Sequence, residues 1–111
     1  MNSTVVEIPV HEIVDRDSFH AVFQFALGFP EFYGRNLDAW IDCMITIDDP
    51  SAGMTSVAVE PGALLVMSIN GVEDFRDRCP QEYEALIDCV VAVNQDRISE
   101  GQPPVLALAF A

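Results

Sequence analysis

The sequence predicts a small α/β domain, a three-stranded parallel sheet packed with about four helices, and three observations carry that reading. Three apolar runs, Val5–Val10, Ala63–Ile69 and Val105–Phe110, are separated by stretches with helical periodicity. Strand, helices, strand, helices, strand is the order expected of parallel strands joined by right-handed crossovers. The chain of 111 residues is long enough for one hydrophobic core and too short for two, so residues 1–111 read as a single compact domain.

Val5–Val10 holds a β-branched run and opens the fold as its first strand. Asp15 and Asp17 offer N-caps to a helix whose apolar stripe is Phe19, Val22, Phe23, Ala26 and Leu27, and Gly28 and Pro30 end it. Phe25 falls off that stripe and is expected to pack under a neighbouring element. Asn36 caps a second helix from about Leu37 to Thr46, with Leu37, Trp40, Ile41 and Met44 on its apolar side. Asp48-Asp49-Pro50 breaks it. The Ser51–Gly62 stretch, rich in Ser, Gly and Pro, reads as a loop with a short extended piece at Ser56–Val59. Ala63–Ile69 is continuously apolar, the pattern of a strand buried on both faces, and Asn70-Gly71 ends it. A short helix over Val72–Arg78 precedes a longer one begun by Pro80 and stopped by Gly101. Its stripe is Tyr83, Leu86, Ile87, Val90, Val93 and Ile98. Pro103-Pro104 turns the chain into the last strand, Val105–Phe110, read as another buried one.

Eighteen acidic residues face five basic ones, all arginine, for a formal charge of −13. Such a balance excludes a phosphate-binding surface and with it direct nucleic-acid recognition. It suits a basic protein partner, whose encounter the field would speed and salt would slow. Cys43, Cys79 and Cys89 are odd in number and form no C-x-x-C pair, so they read as reduced, buried thiols. The first residues lack the basic and apolar regions of a secretion signal, and no run approaches the ~20 apolar residues of a membrane span. Cytoplasmic residence and a monomer before complex formation are the expectations.

The most informative stretch is Phe29–Met44, FPEFYGRNLDAWIDCM. It sets the aromatic pair Phe32 and Tyr33, a glycine and two aspartates into one short unit. Asp38 and Asp42, four apart on a helix, share one face. Asp38 lies near a positive helix end, which stabilises its charge by about 0.3–1 kcal/mol; Asp42 has no such structural reason, and the two repel each other mildly. The pair with its aromatic rim makes a negative knob suited to a cationic pocket. Asp96 and Glu100, again four apart, stand in a final helical turn, where the dipole disfavours them.

On Pro30, Glu31, Tyr33, Gly34, Asn36, Leu37, Asp38, Ala39, Asp42 and Cys43, this stretch resembles the second-helix segment of the barstar family, intracellular inhibitors of secreted bacterial ribonucleases. The family's fold, a three-stranded parallel sheet with helices packed on it, has the same order and number of elements. The resemblance implies a partner-binding face made of Phe32, Gly34, Asn36, Asp38, Ile41 and Asp42. Aligning Glu100-Gly101 with the family's helix end adds Asp96, an aspartate where glutamate is usual. Phe32 replaces a tyrosine and Ile41 a tryptophan, and the Ser51–Gly62 insertion is longer than in compact members. The changes at Phe32 and Ile41 point to altered partner specificity, whereas the insertion, next to the proposed face, is left open between gating that face, extending it and doing nothing. The implied mechanism is mimicry, with carboxylates taking the positions that RNA phosphates would occupy in a ribonuclease cleft. A barstar-like module for a non-ribonuclease toxin or regulatory protein is the alternative.

An enzyme is the weakest reading. His11 and His20 belong to no convergent motif, and the chain has no P-loop, nucleophile elbow or glycine-rich phosphate cradle. No cofactor or metal is expected.

Overall fold

The structure, a computed structural model, describes residues 3–111. Strand β1 (Ser3–Glu7) is followed by helices α1 (Arg16–Leu27) and α2 (Leu37–Met44), strand β2 (Leu64–Ile69), helices α3 (Val72–Arg78) and α4 (Pro80–Ser99), and strand β3 (Leu106–Phe110). The three strands are parallel in the order β1-β2-β3, with Val5 opposite Val66 and Val66 opposite Ala107. The predicted α/β architecture is therefore the one that forms.

Local signals explain most boundaries. Asp15 and Ser18 cap each other's backbone at the start of α1, a reciprocal capping box, and Gly28 closes that helix in the left-handed conformation at φ 68°. Asn36 caps α2 by accepting from the Ala39 amide at 2.8 Å. Pro80 sits in the first turn of α4, where its missing N–H removes no helical bond. Among the described residues no helix is long and apolar enough to cross a membrane.

Several expectations are corrected. The first strand ends at Glu7, and Val10, expected to end it, opens a 3₁₀ turn. Ser56–Val59 forms no strand; the Ser56 and Val57 amides instead donate to Leu27 O, and Val59 to Ile47 O. Nor is β2 buried on both faces. Leu65, Met67 and Ile69 are fully buried, whereas Leu64, Val66 and Ser68 are only half-buried. The last strand likewise emerges at Phe110, which is exposed. In a sheet of order 1-2-3, right-handed crossovers place every connecting helix on the same face, so continuous apolar sequence cannot secure a second helical layer. Phe25 packs under nothing and is 92% exposed.

The core joins the covered sheet face to α1, α2 and α4 through Phe19, Phe23, Leu27, Trp40, Met44, Leu65, Met67, Leu86 and Val93. Cys43, Cys79 and Cys89 are buried, free thiols. Burial, with the Asp42 charge second, pushes Cys43 up to about 11. Cys89 also rises to about 11, through burial, then Asp88, then Asp38. Both stay protonated at neutral pH and behave as small core residues.

Candidate protein-binding site

The loop joining α1 to α2 is held from inside. Phe29 and Tyr33 turn inward with ring centroids 4.8 Å apart, and Gln24 Nε2 donates to Pro30 O at 3.1 Å. The Tyr33 hydroxyl and His20 Nδ1 share a buried hydrogen bond of 2.6 Å. Burial raises the phenol above its ordinary range in spite of the Arg35 charge, and burial lowers the imidazole below its own, with Arg16 and Arg35 lowering it further. Both groups are thus kept neutral. His20 does structural work here, and the expected rim of Phe32 and Tyr33 is corrected to Phe32 alone, which stands 76% exposed.

Tyr33 pulls the loop in, and Gly34 and Arg35 turn it into α2. Arg35 is the one described non-glycine residue with positive φ, at 52°, and its Nη1 donates to Asp17 Oδ1 at 3.0 Å. A Cβ on Gly34 would come within 3.3 Å of Asn36 Nδ2, so the glycine leaves room for the capping side chain. Asn36 is consumed as the cap of α2 rather than left free.

Trp40, Cys43 and Met44 form the inner arc of α2. Asp38 and Asp42 are exposed on its outer side, and among the described residues neither belongs to an ion pair. Ile41 is half-buried against the core, about 100° around the helix from Trp40. Leu37, expected in the core, is 39% exposed. At the first helical position it reaches the gap between α1 and the start of α4, a cavity of about 360 Å³ that Arg16, His20 and Glu82 also line. Phe32, Gly34 and Asp42 share a smaller notch of about 180 Å³ with Pro30, Tyr33, Ala39, Cys43 and Met54.

The end of α4 is tied to the end of α2 by a residue that sequence reasoning missed. Arg97, only 3% exposed, donates from Nη1 to Ile45 O at 2.8 Å and to Asp48 Oδ1 at 3.0 Å. Its Nη2 reaches Asp48 Oδ2 at 2.7 Å and its Nε reaches Pro103 O at 2.9 Å. Ile98, assigned to the apolar stripe, is exposed instead. The signal was present in the spacing: Arg97 stands four after Val93 and seven after Val90, on the buried stripe itself. Asp96, its neighbour, is exposed and without an ion-pair partner among the described residues. Glu100 is exposed at the C-cap.

Chemically this surface is an acceptor. Exposed carboxylates on α2, an exposed phenyl ring and an apolar notch face outward together, and among the described residues no three His, Cys, Asp or Glu side chains gather closely enough to hold a metal ion. A search of curated proteins gives no match to the chain. The family model described as Barstar (barnase inhibitor) matches residues 3–109, from the first described strand to the last. That span takes in β1, β2 and all but the last residue of β3, with the α1–α2 loop and both carboxylate-bearing helices, and the chain belongs to the barstar family.

Proposed function

We propose that this protein binds and inhibits a basic ribonuclease by plugging its active-site cleft with α2. Family membership supports an inhibitory binding protein in general. The observation that carries the finer reading is the pair Asp38 and Asp42, exposed on a helix whose opposite side is locked by Trp40, Cys43 and Met44. A backbone already fixed in the core loses little freedom on binding, so more of the charge-assisted bonding appears as affinity. A ribonuclease cleft holds its substrate phosphate with Arg, Lys and His, and these cations would meet the aspartates in place of RNA. Phe32 supplies a ring for stacking, and Asp96 adds a third carboxylate from α4. The net charge of −13 steers a basic partner towards the complex. We place this activity in the cytoplasm, in a monomeric protein that uses no cofactor and binds no nucleic acid.

The test is stoichiometric inhibition of a barnase-type ribonuclease in an RNA-cleavage assay, with Asp38→Ala and Asp42→Ala beside the parent. Inhibition lost in folded variants supports cleft plugging. Full inhibition by both variants sinks it.

A second reading, a non-ribonuclease toxin or regulatory protein as partner, draws on Phe32, Ile41 and the presence of Met54 in the notch. It gains ground if the aspartates are needed to bind a protein that cleaves no RNA.

A further inference from the structure

Arg35, Arg76, Arg78 and Arg97 each pair with an aspartate, and Arg16 does not. Among the described residues Arg16 is in no ion pair, in a chain with 18 acidic residues. It is also the first residue of α1, at the end of a helix that disfavours a cation. Neither the fold nor the α2 face accounts for it.

Arg16 lines the 360 Å³ cavity between α1 and the start of α4, a size at the lower end of small-molecule pockets. His20 lines it too and is only 1% exposed. Its Nδ1 is taken by the hydroxyl of Tyr33, a residue outside this cavity, and its Nε2 has no partner among the described residues. A buried ring nitrogen without a bond is costly, and a ligand atom in the cavity would remove that cost. Helix α4 begins here without a side-chain cap, so the first-turn amides of Gln81 and Glu82, both residues of the cavity, have no acceptor within the helix. The Glu82 side chain is half-buried and not paired with Arg16. The other walls are apolar: Phe19, Ala85 and Leu37, the last left 39% exposed.

We propose that this cavity binds a small zwitterion with an apolar body, an α-amino acid with a hydrocarbon side chain. Its carboxylate is held by Arg16, the free amides of α4 and His20 Nε2–H; its ammonium group is held by Glu82. Its side chain lies on Phe19, Leu37 and Ala85. A simple carboxylate would be repelled by Glu82, and a simple amine by Arg16 and the positive helix end, so the zwitterion alone satisfies both. The assignment also fixes the imidazole tautomer: Tyr33 O–H donates to Nδ1, and Nε2 carries the hydrogen. Asp38 and Asp42 do not line the cavity, so the site stands whatever α2 binds.

The experiment titrates the isotope-labelled protein with L-phenylalanine, phenylacetate and phenethylamine at fixed ionic strength, followed by NMR. Saturable shifts at the Gln81 and Glu82 amides and the His20 ring are expected, with L-phenylalanine bound at least about fivefold more tightly than either fragment. Arg16→Gln should weaken L-phenylalanine about fivefold without weakening phenethylamine. Glu82→Gln should weaken L-phenylalanine and tighten phenylacetate. Neither side chain is in the core, and the amide spectrum of each variant checks that it is folded. The ring-nitrogen spectrum should place the hydrogen of neutral His20 on Nε2. Equal affinity for the amino acid and a fragment overturns the proposal, as do shifts without saturation, shifts scattered over the surface, or a hydrogen on Nδ1. So does unchanged affinity for L-phenylalanine in folded Arg16→Gln and Glu82→Gln.

Discussion

Asp42 and Asp48 lie six positions apart, and the molecule treats them in opposite ways. Asp48 is half-buried and takes both terminal nitrogens of Arg97, at 3.0 and 2.7 Å. Asp42 faces outward with no cation near enough to pair among the described residues. In a chain with 18 acidic residues and five arginines, the identity of a carboxylate says little about its use. The placement of the scarce cations says more. Arg35, Arg76, Arg78 and Arg97 are each engaged by an aspartate, and Arg97 alone is buried. Exposed pairs contribute only about 0–1 kcal/mol, so the Arg97–Asp48 pair is the one whose loss the fold should feel. Asp38 and Asp42 are exposed and, among the described residues, in no ion pair.

The sharpest way to break this contrast is Arg97→Ala. Removing one member of a buried pair leaves the other charge without compensation, at a cost of about 3–5 kcal/mol, a large part of the total stability of a domain this size. Urea unfolding followed by circular dichroism reads it directly. The double variant Arg97→Met with Asp48→Leu should recover much of that loss, because no stranded charge remains. A single-variant cost below about 1 kcal/mol would mean that the pair is no staple.

Asp42→Ala should reverse the pattern. Its stability stays within about 0.5 kcal/mol of the parent, as for exposed sites generally, while binding to a ribonuclease weakens by about 2 kcal/mol or more. Asp38→Ala should behave alike, and calorimetric titration beside urea unfolding separates the two quantities. A variant that loses stability and binding in equal measure would place these carboxylates in the scaffold.

Titration extends the contrast to groups the fold keeps neutral. The pKa of His20 is lowered in the folded protein, chiefly by burial, from an ordinary value of 6.5. Below pH 6.5 the unfolded chain therefore takes up a proton that the folded chain refuses. Stability is at its full value above pH 6.5 and falls under it, by at most about 1.4 kcal/mol per pH unit for one proton. His20→Gln should be less stable throughout yet flatter between pH 7 and 5. On the alkaline side Cys43 and Cys89 ionise at about 11 when folded against 9 when unfolded, so stability should fall as pH rises from 9 to 11. A parent protein of constant stability from pH 7 to 5 would count against the buried neutral imidazole.

Much of the fold was legible because it depends on neighbours in sequence. Asn36, Asp15, Gly28 and Pro80 act within a turn of their own positions, and each takes its expected place. Trp40 and Met44 were assigned to the core from helical spacing and are fully buried. What sequence could not supply was the direction from which distant elements arrive. Leu37 and Tyr33 exchange their expected environments because α4 stops short of covering the first and His20 reaches the second across thirteen positions. Arg97 was overlooked because its partners, Ile45 and Asp48, lie about fifty residues away. Met54 joins Asp42 in one notch only through a loop anchored on the end of α1 and on Ile47. The carboxylates themselves stood out early, since Asp42, a turn beyond the helix-end Asp38, has no local structural reason.

Asp96 offers the smallest effect and the finest discrimination. It stands in the last turn of α4, beside a residue that is hydrogen-bonded at every side-chain nitrogen. An anion there opposes the helix dipole, and Asp96→Ala should raise stability by about 0.3–1 kcal/mol. Its short, exposed side chain suits the rim of an interface more than its centre, so the same change should weaken partner binding by about 1 kcal/mol or less. Opposite signs in the two measurements would mark Asp96 as retained for recognition at the expense of the helix. Stability gained with binding untouched would confine recognition to α2 and the notch. A binding loss near 2 kcal/mol would instead make the end of α4 an equal partner of Asp38 and Asp42, and would give the Arg97 staple a second purpose: holding a third carboxylate at a set distance from the other two.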